Sequence, residues 1–60
     1  MYTLENDRCD IIGLNSNGVI GFYRHNATPI VFNKYSEAVA FIKYLEAIGY
    51  RVNDIYIDEI

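Results

Sequence analysis

The chain holds one cysteine, one proline, one histidine and no tryptophan. A single cysteine builds no disulfide framework, the usual brace of small secreted domains, and predicts a reducing, cytoplasmic setting. One histidine and one cysteine among scattered carboxylates show no ligand spacing for zinc. Asp54, Asp58 and Glu59 lack the oxygen-rich loop that calcium needs. No metal and no other cofactor is expected. Basic residues are also scarce: five Lys and Arg stand against eight Asp and Glu, for a net charge of −3 and a pI near 4.7. Arg8, Arg24, Lys34, Lys43 and Arg51 are dispersed along the chain. That argues against binding nucleic acid through phosphates. No apolar run approaches the roughly 18 residues of a membrane-spanning helix. The segment Met1 to Asp10 carries three acids and no apolar stretch, so no secretory signal is read there.

What is present is apolar and β-prone. Apolar residues make up 52% of the 60, with nine Ile, four Val and nine aromatics, so the chain is not disordered. Residues 1–60 form one small domain, with no repeat and no linker. Its stability is limited by its size. Scaling predicts roughly 4,000 Å² of folded surface against about 10,000 Å² unfolded. If about 60% of what is buried is apolar, burial contributes about 90 kcal/mol at 25 cal/mol/Å². Ordering the chain costs about the same, at ~1.5 kcal/mol per residue. A sum near zero points to oligomerisation or a bound partner.

The clearest local signal is a hairpin. The apolar runs Cys9 to Leu14 and Val19 to Arg24 flank Asn15-Ser16-Asn17-Gly18, and Asn-Gly between β-formers marks a tight turn. A two-residue or a four-residue loop gives the same faces: Cys9, Ile11, Gly13, Ile20 and Phe22 on one, and Ile12, Leu14, Val19, Gly21 and Tyr23 on the other. Phe22 is then expected over the bare backbone of Gly13. After a loop over residues 25–29, Ile30 to Phe32 read as a third strand, with Pro29 at its start. Residues 34–48 read as a helix capped by Asn33 or Ser36, with Glu37 in the first turn and Gly49 as the stop. Tyr35, Ala38, Val39, Phe41, Ile42, Leu45 and Ile48 form its apolar side. Val52 to Ile60 alternate as a closing strand, and residues 2–5 suggest a further short one. The fold class is therefore α+β. A three- to four-stranded, mainly antiparallel sheet carries one helix on one face, in the order β-β-(β)-α-β.

Catalytic signals are weak. Cys9 and His25 could pair as nucleophile and base, but no motif supplies a third, orienting group, and an unpaired cysteine on an apolar strand is ordinarily a small hydrophobe. The chain is not expected to be an enzyme. Gly13, Gly18 and Gly21 open no helix, so no phosphate loop is present. Six tyrosines in so short a chain are more suggestive, because tyrosine gives rigid, amphipathic contact area at interfaces. Asp54, Tyr56 and Asp58 alternate along the closing strand, and sheet continuity would bring Tyr23 to the same face. These four are the expected partner surface. Ile12, Leu14 and Val19 on the hairpin, or Ala40, Tyr44 and Ala47 on the outer helix face, are the expected seam of a homo-oligomer.

The order of hairpin, short strand, helix opening with Ser36-Glu37-Ala38, and closing strand resembles small partial-fold antitoxin domains. Short acidic α+β chains are also common among virus-encoded inhibitors of host enzymes. The resemblance implies a non-enzymatic binding role and assigns no residue. The expectation is a small acidic module, dimeric, that binds and inhibits a larger protein. The alternative is a small-ligand or nucleotide binder with its site at a dimer seam.

Overall fold

A computed structural model describes residues 1–60. It contains β1 (Tyr2–Asn6), β2 (Ile11–Asn15), β3 (Ile20–Tyr23), β4 (Ala27–Pro29), α1 (Tyr35–Ala47) and β5 (Ile55–Glu59). The strands form one antiparallel sheet in the order β3-β2-β1-β5, with β4 also paired to β2. The α+β class is as expected from the sequence. The short strand at the N-terminus proves central, since β1 pairs β2 on one side and β5 on the other.

Two turns of the same design set the register. Asn15 Oδ1 accepts hydrogen bonds from the amides of Asn17 and Val19, both at 2.9 Å. Asn6 Oδ1 accepts from Arg8 and Asp10 at 3.0 and 2.9 Å. In each turn the residue three places after the asparagine donates to the asparagine carbonyl. That residue has a left-handed backbone: Gly18 at φ 75° and Cys9 at φ 64°. Each loop thus holds three residues, a turn followed by one left-handed position. The loop is neither two nor four residues long, and the difference of one exchanges the faces of β3. Ile12 lies opposite Phe22 and Gly13 opposite Gly21. Phe22 and Ile20 therefore join Ile12 on the helix side, and Phe22 does not cover Gly13. Cys9 is an exposed turn residue, not part of a strand.

β1 and β2 share only the Glu5–Ile11 pair. Beyond it the two strands diverge, and β4 with the residues after it fills the gap. The Ile30 amide donates to the Ile12 carbonyl at 3.0 Å, and Tyr2 and Phe32 exchange two bonds of 2.8 Å. The third strand thus lies at residues 27–29, earlier than expected, and Ile30 to Phe32 contribute one isolated bridge. Pro29 faces Gly13 in the position that exchanges no hydrogen bond, so its missing N–H is harmless. Gly13 is required there, since a Cβ would sit 2.6 Å from the Thr28 carbonyl oxygen.

The helix buries Ala38 and Leu45 completely against Leu4 and Ile12. Phe41, Ile42, Ile55, Ile57, Phe22 and Phe32 pack around them. Tyr35 and Ile48, expected on the apolar side, lie at the two ends of the helix and are 57% and 53% exposed. The N-cap is Lys34, not Asn33 or Ser36; its side chain cannot accept a hydrogen bond. Glu37 satisfies the entrance instead, its Oε1 accepting from the Asn33 and Lys34 amides at 3.1 Å. At the other end Gly49 is left-handed at φ 100°. The Gly49 amide donates to Glu46 and the Tyr50 amide to Leu45, closing the helix in a Schellman motif, as the glycine predicts.

Replacing Gly13 by alanine should cost about 2 kcal/mol or more, because the backbone of β4 must move away. Cys9→Gly should leave stability unchanged or raise it by up to about 1 kcal/mol, as relief of the left-handed strain outweighs added unfolded-state freedom. Urea unfolding of the purified variants measures both.

Candidate functional site

The sheet has one covered side and one open side. Opposed residues of an antiparallel pair project to the same side. The pairs Tyr23–Ile11, Ile11–Glu5 and Glu5–Tyr56 therefore make a single row across β3, β2, β1 and β5 on the side away from the helix. Thr3 and Asp58 form the next pair on the same side, with Thr3 buried at 6% exposure; Gly13 and Gly21, also buried, pair on the hairpin and are parted from Thr3 by the gap that β4 enters. Tyr56 is 56% exposed, Asp58 is exposed, and Tyr23, Ile11 and Glu5 are half-buried.

Tyr23 shapes this face. Its ring lies back along β3 over Gly21, where an added Cβ would meet the phenol oxygen at 3.0 Å. Its hydroxyl donates to the Val19 carbonyl at 2.8 Å. The aromatic side chain substitutes for the packing that Gly21 lacks. Between Tyr23 and Pro29 the bare backbone of Gly13 leaves a hollow of about 80 Å³, lined also by Ile11, Arg24, His25 and Ala27. That hollow suits one protruding side chain. It is far below the roughly 300 Å³ that a small-molecule site needs. Arg24 is itself held in place, with Nε 3.2 Å from Asp10 and a second nitrogen donating to the Arg8 carbonyl at 3.0 Å. The open face is thus acidic toward β5, through Glu5 and Asp58, and carries its cation at the β3 end.

Of the four residues expected at a partner surface, Tyr23, Tyr56 and Asp58 share this face. Asp54 does not. It lies in the turn before β5 and lines an open groove of about 430 Å³ at the C-terminal end of the helix, with Phe22, Ile48, Tyr50 and Arg51. The residues expected at an oligomer seam fall in separate places. Ile12 is fully buried beneath the helix and is not available to any seam, a direct result of the exchanged register. Leu14 and Val19 sit at the hairpin tip, 37% and 54% exposed. Ala40, Tyr44 and Ala47 are exposed on the outer helix face, Tyr44 leaning on Phe41 at a centroid distance of 5.5 Å. Ile11 and Glu5, which bridge the two tyrosines, were not singled out by the sequence, because their place depends on the loop length.

Cys9 and His25 are both exposed turn residues, and no cluster of three or more His, Cys, Asp or Glu side chains is present. No helix is long and apolar enough to cross a membrane. Comparison with protein-family models, curated proteins and solved structures finds no match to the chain.

Tyr23→Phe should cost about 1 kcal/mol through loss of the bond to Val19, while Tyr23→Ala should cost more by also baring Gly21. Thermal unfolding followed by circular dichroism separates the two contributions.

Proposed function

We propose that this chain is a non-enzymatic module that binds and blocks a larger protein through the open face of its sheet. One observation carries the reading: the row Tyr23–Ile11–Glu5–Tyr56, bordered by Asp58, forms a continuous amphipathic strip on the side away from the helix, half-buried over Tyr23, Ile11 and Glu5 and exposed at Tyr56. Two tyrosines and an isoleucine supply rigid contact area, and the glycine-floored hollow beside Tyr23 accepts a side chain from the partner. The carboxylates of Glu5 and Asp58 favour a partner with a basic or mixed-charge surface, and act mainly on the speed and orientation of encounter. Action by occlusion matches the antitoxin-like or virus-encoded inhibitor type to which the chain's size and acidity point.

A second reading rests on the groove at the helix C-terminus. Its volume of about 430 Å³ lies in the range of small-molecule sites, and Arg51 and Asp54 flank it. A thermal-shift panel of nucleotides and metabolites tests this reading, which predicts stabilisation abolished by Arg51→Ala.

For the protein-binding reading, a photo-crosslinking amino acid at position 56 and one at position 23 should capture the same larger protein from cells. One at position 47, on the outer helix face, should not. With that protein purified, Tyr56→Ala should weaken binding by roughly 2 kcal/mol. Asp58→Asn should mainly slow association and flatten its salt dependence. Asp54→Asn should leave binding unchanged. Full affinity in Tyr56→Ala, with the fold intact, would move the interface off this face.

A further inference from the structure

The two outer strands of the sheet are treated differently. Hydrogen-bond parity shows which backbone groups of each point outward. On β3, the Asn15 amide bonds to Val19, so Ile20 and Phe22 turn their backbone groups away from β2. The outward carbonyl of Ile20 is taken, since the Tyr50 hydroxyl donates to it at 3.1 Å. On β5, the Ile60 amide bonds to the Met1 carbonyl at 2.9 Å, which turns Ile55, Ile57 and Glu59 outward. Tyr2 agrees with this, because it spends its own backbone groups on Phe32, on the side away from β5. No side chain approaches the outward groups of Ile57 and Glu59 within hydrogen-bond distance, and Ile55 has only its amide engaged, with Val52 at 3.2 Å. The β3 edge is obstructed at Ile20 and keeps the Phe22 groups free, whereas the β5 edge is longer and keeps both groups of Ile57 and of Glu59 free.

We infer that the β5 edge pairs antiparallel with β5 of a second copy, centred on Ile57, joining two sheets into one. Two-fold symmetry and the outward parity permit residue-centred registers, and within β5 only those centred on Tyr56, Ile57 or Asp58 pair three or more of its residues. Centring on Asp58 sets that carboxylate against its own copy. Centring on Tyr56 sets Asp54 against Asp58. Only the register centred on Ile57 opposes no two acids: Tyr56 faces Asp58 and Ile55 faces Glu59. Like charges directly opposed destabilise a pair, so charge selects this register. In it the Ile57 amide donates to the Ile57 carbonyl of the second copy, and the Glu59 amide to its Ile55 carbonyl. Symmetry repeats both bonds. The open face with Tyr56 and Asp58 then runs unbroken into its copy, which doubles the strip assigned above to partner binding. This pairing deepens that reading, and it is tested on the chain alone, so either can fail without the other.

A short edge makes a weak dimer, with a dissociation constant expected in the micromolar range. Sedimentation from about 10 to 500 µM should show a monomer–dimer equilibrium. Glu59→Pro removes an outward donor and no bond to β1, so it should weaken the dimer at least about tenfold with an unchanged circular dichroism spectrum. A second test does not depend on that variant folding. In a Cys9→Ser background, chains carrying Tyr56→Cys are mixed with chains carrying Asp58→Cys and oxidised. Directly opposed positions lie about 4.5–5.5 Å apart at Cβ and diagonal ones about 7–8 Å, so the mixed disulfide should form in preference to either homodimer. A monomer throughout the concentration range would overturn the proposal. So would homodimeric disulfides in excess, a dimer indifferent to Glu59→Pro, or a β5 edge that takes up an unrelated peptide strand in place of its copy.

Discussion

Two asparagine carboxamides decide how this chain folds. Asn6 and Asn15 each gather the amides two and four residues ahead, and each thereby holds a loop of three residues closed by one left-handed position. An odd loop fixes which side of the sheet every later side chain takes. It puts Phe22 and Ile20 under the helix with Ile12, and leaves Tyr23 with Ile11 on the open side. Had either loop held two or four residues, Phe22 would face solvent and the core would lose one of its largest members. The hydrophobic core is a consequence of these two turns as much as a cause of them.

The second constraint is a backbone meeting a backbone. β1 and β2 part after a single pair, and β4 enters the opening so closely that only Gly13 fits opposite Thr28 and Pro29. This arrangement gives a five-stranded sheet from very few residues, and it saturates the inner backbone groups that the divergence would otherwise leave unpaired. The same glycine, next to Gly21, opens the hollow beside Tyr23. The packing requirement and the hollow proposed to receive a partner side chain therefore share one residue.

Much of this was legible in the sequence where the signal is local. Gly49 ended the helix in the expected way, the stripe of Ala38, Phe41, Ile42 and Leu45 faced the sheet, and Ile55 and Ile57 alternated with Tyr56 and Asp58 as a half-buried strand. The register was not legible, because Asn15-Ser16-Asn17-Gly18 is compatible with several loop lengths and the choice depends on a side-chain acceptor reaching the Val19 amide. Ile30-Val31-Phe32 looks more strand-like than Ala27-Thr28-Pro29, yet β4 forms at the latter. Pairing there is governed by which residues can lie against Gly13, and intrinsic propensity is a poor guide to that. The open face followed suit: alternation places Tyr23, Tyr56 and Asp58 on the side away from the helix, whereas the place of Ile11 and Glu5 between them depends on the long-range pairing.

The Tyr50 hydroxyl on the Ile20 carbonyl has a consequence for growth beyond the single molecule. A sheet with two free edges can add a neighbour at each, and each addition presents a fresh edge, so assembly propagates without limit into fibres. A sheet with a phenol set across one edge, as Tyr50 is at Ile20, offers a poorer second point of addition there. Association through the other edge uses that edge up in a closed pair. A single side chain placed by the helix stop at Gly49 thus disfavours addition at β3 and biases association toward the β5 edge.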